Sequence, residues 1–170
     1  AFLNTLLANQ VIKQKFKGVN ILVPKTISIA SDYFFEFIRH NKLESIIANG
    51  DENNIKKKFI NSKLPKSLVK DLQTILTFLK KPIAVRSSSH FEDSHDQPFA
   101  GLYETYMLPN NHKDDKVRLK SLCAAIKTIY ASTYSDEAIL YFRNTAFRQE
   151  EEKMSIIIQE LVGKQFEDYY

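Results

Sequence analysis

The chain has 170 residues, of which 44% are hydrophobic and 26% are charged, and its formal net charge is +4 at pH 7. This length and composition exclude a low-complexity or fibrous chain and predict one globular domain over residues 1–170. Because the sequence has no run of 18 or more apolar residues and no basic leader followed by a small-residue cleavage site, we expect neither a membrane span nor a signal peptide.

Cys123 is the single cysteine of the chain, so no disulfide can form within it. It falls in an apolar helical pattern, which predicts a buried and unreactive thiol. Without disulfides or a leader, the protein is expected to be cytoplasmic.

Much of the positive charge lies between Asp51 and Lys81, where lysines are spread over a helical stretch with a few acidic residues among them, as on a solvated face. Phe59 and Phe78 are the aromatic residues of this stretch, and both occupy apolar helical positions. A surface that stacks nucleic acid bases would interleave aromatic residues with the lysines. The pattern therefore argues against nucleic acid as a partner.

The first half of the chain predicts helices over residues 1–15, 33–39, 55–61 and 67–79, and a strand over residues 21–29 that Pro24 interrupts. Ser31 and Asp32 are suited to the N-cap of the second helix. The second half predicts strands over residues 82–86, 103–108 and 155–162, and helices over residues 114–131 and 135–144. Because the strands are joined by connections of different lengths, we expect an α+β fold: a mixed β-sheet with helices on one face.

A candidate anion site follows the strand that ends at Arg86. The guanidinium group offers five donors in a flat fork that matches phosphate oxygens. The hydroxyls of residues 87–89 add donors, and Gly101 can admit a ligand against bare backbone. The alternative is a surface ion pair between Arg86 and Glu92 or Asp93 beside a serine-rich turn.

The sequence of this segment resembles that of the nucleotide-binding domain of phosphoenolpyruvate synthase and pyruvate phosphate dikinase, a branch of the ATP-grasp enzymes. The motifs that carry the resemblance are Val85-Arg86-Ser87-Ser88 with Glu92-Asp93, and Phe99-Ala100-Gly101 with Glu104-Thr105-Tyr106. Weaker similarities follow in the expected order at Val23-Pro24, at Ala131-Ser132-Thr133-Tyr134-Ser135 and at Ile156-Ile157-Ile158-Gln159-Glu160-Leu161-Val162. The resemblance covers nearly the whole chain and implies the first lobe of an ATP-grasp domain.

The resemblance implies a role for each matching residue. Arg86 matches the catalytic arginine that contacts the nucleotide phosphates, Ser87 follows it in the motif, and Thr105 matches a threonine at the phosphate end of the next strand. Residues 92–101 match a flap over the triphosphate, with Gly101 as its most constrained position. The hinge that meets adenine is matched by Gln159, Glu160 and Val162. The alternative for Gln159 is an outward polar tip that ends an apolar strand.

The sequence also departs from the family pattern. Residues 1–3 resemble those just after a phosphate-binding lysine, which is expected to precede them, and residues 25–27 stand where the family has a Pro-Gly turn. The second lobe, with the carboxylates that bind Mg²⁺, would follow residue 170, so no metal ligand is assigned within the chain. We expect this part to be inactive alone. None of the four histidines matches the phosphohistidine of the family.

The resemblance therefore implies the ATP-binding part of a phosphotransferase that uses ATP and Mg²⁺ to phosphorylate a histidine on another domain, and then pyruvate. Three alternatives stay open: a related enzyme with another acceptor, such as a glucan or a rifamycin antibiotic; a degenerate regulatory module that binds nucleotide without transfer; and a basic nucleic-acid-binding domain. The expected partners are ATP and the phosphohistidine and acceptor domains of the same chain.

Overall fold

A computed structural model of the protein describes residues 5–7, 15, 18–19, 21–89, 91–92, 101–145 and 148–163. Its elements in chain order are β1 (Thr26–Ile29), α1 (Asp32–His40), α2 (Glu44–Asn49), α3 (Glu52–Asn61), α4 (Lys66–Phe78), β2 (Ile83–Ser88), β3 (Thr105–Leu108), α5 (Asp115–Ser132), α6 (Asp136–Arg143), a 3₁₀ turn (Gln149–Glu151) and β4 (Ser155–Glu160). The predicted α+β class is confirmed.

The four strands form one sheet in the order β1-β4-β2-β3, and every neighbouring pair is antiparallel. The sheet was expected to be mixed. β1 and β2 do run in the same direction, but β4 lies between them and runs in the opposite direction. No parallel pair therefore forms among the described strands.

Alternation along the strands gives the sheet one apolar and one polar face. Ile83 and Val85 of β2, and Ile156 and Ile158 of β4, are buried and face the helices together with Ile29 of β1. The intervening positions define what we call the open face: Thr26, Ser28, Ala84, Arg86, Ser88, Thr105, Met107, Ser155, Ile157 and Gln159. These side chains are exposed or half-buried, apart from that of Ala84.

The core is built where the long helix α5 packs against α3, α4, β2 and β3. An aromatic cluster lies at its centre: Tyr130 of α5 contacts Phe34 and Phe37 of α1, with ring centroids 5.1 and 5.6 Å apart, and Phe37 in turn contacts Phe59 of α3. Aromatic pairs at such distances add to the stabilisation that burial gives. Within the described ranges, no helix has the length and apolar character needed to cross a membrane.

Most predicted elements are present, although several differ from the prediction in their bounds or capping and others were not predicted. The strand expected over residues 21–29 is confined to β1. The N-cap position of α1 is Ser31, as predicted, but its side chain makes no capping hydrogen bond. Helix α2 was not predicted, because none of its side chains is buried and its six residues show no helical apolar pattern. Of the helix predicted over residues 1–15, residues 5–7 and 15 are helical and the others lie outside the described residues.

Candidate functional site

Arg86 and Thr105 lie directly opposite each other on the open face. They are partners in the β2–β3 register, and both side chains are exposed. Directly opposed residues of antiparallel strands have Cβ atoms about 4.5–5.5 Å apart. The sheet thus places a guanidinium group beside a hydroxyl, and together they can donate to one anion.

Arg86 is not paired with Glu92, one of the two carboxylates that the sequence offered as partners. Within the described part of the chain, no carboxylate forms an ion pair with Arg86. Glu92 makes other contacts: its Oε2 accepts from the Ser89 backbone N–H over 3.2 Å, and its Oε1 accepts from the Ser87 hydroxyl over 3.5 Å. Asp93 lies outside the described residues. Among the described residues, the positive charge of Arg86 therefore has no carboxylate partner and could attract an anionic ligand.

Ser87 and Gly101 are placed differently from Arg86. The Ser87 side chain is 6% exposed and lies on the helix-covered face, where its hydroxyl supports Glu92. Gly101 is exposed with a φ of 85°, and a Cβ added there would have no atom within 4 Å, so backbone conformation rather than space favours glycine. The rest of the predicted flap, which spans residues 92–101, is described only at Glu92. The roles of Ser87 and Gly101 in binding remain predictions.

Gln159 joins Arg86 on the open face, at the end of β4 where the predicted hinge begins. It is paired with Ala84, two positions along β2 from Arg86, and its Nε2 donates to the Thr26 hydroxyl over 2.9 Å. This side chain is therefore tied across the open face to β1 by Thr26. An apolar surface lies between Arg86 and Gln159, where the half-buried Ile157 is directly opposite Arg86.

Backbone bonds at the end of β4 leave one amide available. The N–H of Glu160 donates to the carbonyl of Lys25 over 2.9 Å, and that of Leu161 donates to Pro82 over 2.8 Å. No backbone bond among the described residues uses the next N–H, that of Val162, whose residue is 80% exposed. A planar ligand on the open face could accept from this amide.

A cavity of about 420 Å³ lies beside β3, between α3, the start of α6 and residues 101–105. Its lining includes the carboxylates of Glu52, Glu104 and Glu137 and one cation, Lys56. This balance disfavours an anion, because like charges repel strongly where solvent is limited. Of the two surfaces, the open face with Arg86 suits phosphate better.

One contact near the site was not predicted. Tyr103 and Glu152 are buried and joined by a hydrogen bond of 2.8 Å. Their sequence contexts carry no signal for this, since the pair is separated by 49 residues and each looks like an ordinary polar position. Of the histidines, His40 and His112 are described, and His112 accepts the Asp114 backbone N–H at Nδ1. Within the described residues, no group of three His, Cys, Asp or Glu side chains could hold a metal ion.

Comparison with known proteins gives a consistent result. The family model for the pyruvate phosphate dikinase AMP/ATP-binding domain matches residues 7–167. A phosphoenolpyruvate synthase of Aeropyrum pernix is 28% identical over 140 residues, which are 75% of this chain and 16% of that protein. A probable phosphoenolpyruvate synthase of Archaeoglobus fulgidus is 34% identical over 83 residues, 49% of this chain and 10% of that protein. The uncharacterized phosphotransferase YvkC of Bacillus subtilis is 28% identical over 160 residues, 88% of this chain and 18% of that protein. The chain thus spans less than a fifth of the length of these relatives.

Proposed function

Since the chain belongs to the family of the pyruvate phosphate dikinase AMP/ATP-binding domain, we propose that it is the ATP-binding portion of a phosphotransferase that resembles phosphoenolpyruvate synthase or pyruvate phosphate dikinase. The complete enzyme would pass a phosphoryl group from ATP to a histidine on another domain and then to pyruvate. The relatives named phosphoenolpyruvate synthase support this assignment.

The observation that carries the proposal is the register of β2. It brings Arg86 opposite Thr105 and sets Gln159 close by on the same open face. The triphosphate of ATP would lie against Arg86 and Thr105, where a charged fork and a hydroxyl donate to its oxygens. Ser87, near the end of β2, and Gly101, in the β2–β3 connection, would support this end.

The adenine base would lie at the other end of the open face. Adenine needs an acceptor for its amino group and a donor for a ring nitrogen, which the backbone at a strand end can supply. The exposed N–H of Val162 is the donor in this proposal, and the carbonyl of Glu160 is the acceptor. Gln159, anchored to Thr26, would border the base, and the half-buried Ile157 would contact the apolar part of the nucleotide.

The remaining chemistry is assigned to other parts of the enzyme. The described residues include no group of three His, Cys, Asp or Glu side chains that could hold a metal ion, and Mg²⁺ beside a nucleotide is usually bound by one or two carboxylates together with waters and phosphate oxygens. The proposal therefore takes the metal ligands from the second lobe of an ATP-grasp clamp, with the open face as the opposite wall. The phosphohistidine and acceptor domains would likewise be separate, and this portion alone would bind nucleotide weakly and transfer nothing. A cytoplasmic location belongs to the same proposal.

Calorimetric titration of Mg·ATP tests the proposal, with the protein in its full natural length and the 170-residue chain titrated in parallel. Binding by the full-length protein that weakens in Arg86→Ala by about 1.5 to 3 kcal/mol is the expected result for a charged hydrogen bond to phosphate. An affinity that is unchanged in Arg86→Ala would remove the arginine from the site. No binding by either protein would overturn the proposal of an ATP site.

The acceptor separates the remaining alternatives. A related phosphotransferase is favoured over a pyruvate enzyme if the full-length protein hydrolyses or transfers phosphate but does not use pyruvate, and the match to a protein named only a phosphotransferase keeps this alternative open. A degenerate regulatory module would bind ATP without any transfer. Nucleic-acid binding would require affinity that falls steeply with salt.

A further inference from the structure

A buried hydrogen bond joins the segments that lead into β3 and β4, the two strands that flank β2. The Tyr103 hydroxyl donates to Oε2 of Glu152 over 2.8 Å, and the two residues are 8% and 2% exposed. Tyr103 lies just before β3, and Glu152 lies just before β4. Both strands begin beside the carboxyl end of β2, where Arg86 is located. One side-chain contact therefore ties together the two neighbours of the strand that presents Arg86.

Both partners of this bond are themselves held in place. Oε1 of Glu152 accepts from the Lys153 backbone N–H over 2.8 Å, which orients the carboxylate. Burial, and then the adjacent Glu152 charge, raises the pKa of the Tyr103 phenol, so the hydroxyl keeps its proton and donates. The next residue, Glu104, donates its backbone N–H to the Ser132 hydroxyl of α5 over 3.3 Å. Two successive residues before Thr105 are thus anchored to the core.

We propose that Tyr103 and Glu152 are positioning residues for nucleotide binding, and that their hydrogen bond holds Thr105 opposite Arg86. This inference rests on the proposed function. Both side chains are buried and do not belong to the open face, so they act through the backbone that leads into β3. Loss of the bond frees the start of a short edge strand, which has only four residues with which to keep its register.

The first test compares Mg·ATP affinity among matched variants of the full-length protein. Tyr103→Phe keeps the ring and removes the donor, and we expect about a tenfold loss of affinity, as for one buried hydrogen bond to a charged group. Tyr33→Phe is the control, since its hydroxyl donates to Asp71 over 3.0 Å on the exposed side of α1 and α4. We expect less than about a twofold change in Tyr33→Phe. Equal effects of the two substitutions would overturn the inference.

A conservative variant separates positioning from general destabilisation. In Glu152→Gln the amide oxygen can still accept from the Lys153 N–H, while its NH₂ donates to the Tyr103 hydroxyl. We expect Glu152→Gln to bind Mg·ATP within about threefold of the wild type, and Glu152→Met to lose about tenfold. Tyr103→Phe alone leaves the buried Glu152 carboxylate without its phenol donor, whereas the double variant Tyr103→Phe/Glu152→Met removes both groups. We therefore expect the double variant to recover stability relative to Tyr103→Phe while its affinity for Mg·ATP stays low. Recovery of both would assign the pair a purely structural role.

Amide hydrogen exchange provides a readout that needs no nucleotide. If the bond positions β3, peptides that contain residues 101–106 exchange faster in Tyr103→Phe than in the wild type, and at the wild-type rate in Tyr33→Phe. Unchanged exchange over these residues in Tyr103→Phe contradicts the inference even if ATP binds. If the wild type does not bind ATP, but Tyr103→Phe still exchanges faster than the wild type over residues 101–106, the positioning of Thr105 is upheld. That result would refute the proposed function instead.

Discussion

Arg118 donates from Nε to Oδ1 of Asn110 over 2.9 Å, and this contact connects α5 to the turn that follows β3. Asn110 has a φ of 53°, and its Nδ2 donates to the carbonyls of Leu79 and Lys81. Nη2 of Arg118 donates to the carbonyls of Leu76 and Leu79, 2.9 and 2.7 Å away, at the end of α4. Arg118 thus satisfies carbonyls that the helix end leaves without a partner. Its own side chain is buried in doing so, with only 5% of the residue exposed.

Replacement of Arg118 by lysine should therefore destabilise the fold although the charge is kept. A lysine ammonium is a compact point charge and cannot reproduce the planar fork that bonds Asn110 and two carbonyls at once. We expect Arg118→Lys to lower the free energy of unfolding by about 2 to 4 kcal/mol, because buried acceptors lose their donors. Urea unfolding measures the change. Lys120→Ala, an exposed position on the same helix, is the control and should shift the free energy by less than about 0.5 kcal/mol; comparable losses in both variants would contradict this role of Arg118.

The hydroxyl of Tyr130 is buried and has no hydrogen-bond partner among the described residues. Tyr130→Phe should therefore raise the free energy of unfolding by about 1 kcal/mol, because an unsatisfied buried hydroxyl is removed and the ring contacts with Phe34 and Phe37 are kept. Tyr33→Phe is the matched control, since its hydroxyl does have a partner, Asp71, and it should be neutral or destabilising. A loss of stability in Tyr130→Phe at neutral pH would reveal a partner for this hydroxyl.

The same residue makes stability depend on alkaline pH. Burial, with a smaller effect from Tyr33, raises the pKa of Tyr130. The unfolded chain therefore releases this proton at the ordinary tyrosine pKa of about 10, while the folded protein retains it. The contribution of Tyr130 to the free energy of unfolding is then unchanged below about pH 10, and it falls as the pH rises further. Between about pH 8 and about pH 10.5, the free energy of unfolding should decline less in Tyr130→Phe than in the wild type. Part of this decline should persist in the variant, because burial also raises the pKa of Tyr103 and Cys123. Identical declines would rule out ionisation of Tyr130 as a contributor.

More of the candidate site than of the contacts that support it could be predicted from the sequence. Side chains alternate along a strand, so the order of residues in β2 already implies that Arg86 and Ser87 face opposite sides. The resemblance then supplied Thr105 and Gln159, and the register places both on the open face with Arg86. Arg118 could not be found in this way, because a charged residue on a helix is usually solvated and its burial depends on the ends of distant elements.

Gly101 provides a test of backbone conformation near the site. Its φ of 85° is unfavourable for residues with a Cβ, while the space around an added Cβ is open. Gly101→Val should therefore cost about 1 to 2 kcal/mol of stability or shift the loop, with weaker Mg·ATP binding in the full-length protein. Gly101→Asn occupies the same space but tolerates positive φ, so it should retain more of both properties. Urea unfolding and calorimetry measure the two effects, and equal behaviour of Val and Asn would mean that φ at this position is not the constraint.

Arg86 distinguishes the geometry of the guanidinium from its charge. Because its side chain is exposed on the open face, Arg86→Lys and Arg86→Ala should each change the free energy of unfolding by less than about 0.5 kcal/mol. For Mg·ATP we expect Arg86→Ala to lose roughly ten- to a hundredfold in affinity, and Arg86→Lys to lose less, since the ammonium keeps the attraction but not the two parallel hydrogen bonds. Arg39→Ala, which removes an exposed arginine from α1, controls for the general effect of net charge. If Arg39→Ala weakened binding as much as Arg86→Ala, the attraction would be a property of the whole surface and not of a site on the sheet; a loss confined to Arg86, larger for alanine than for lysine, would place a phosphate against the open face.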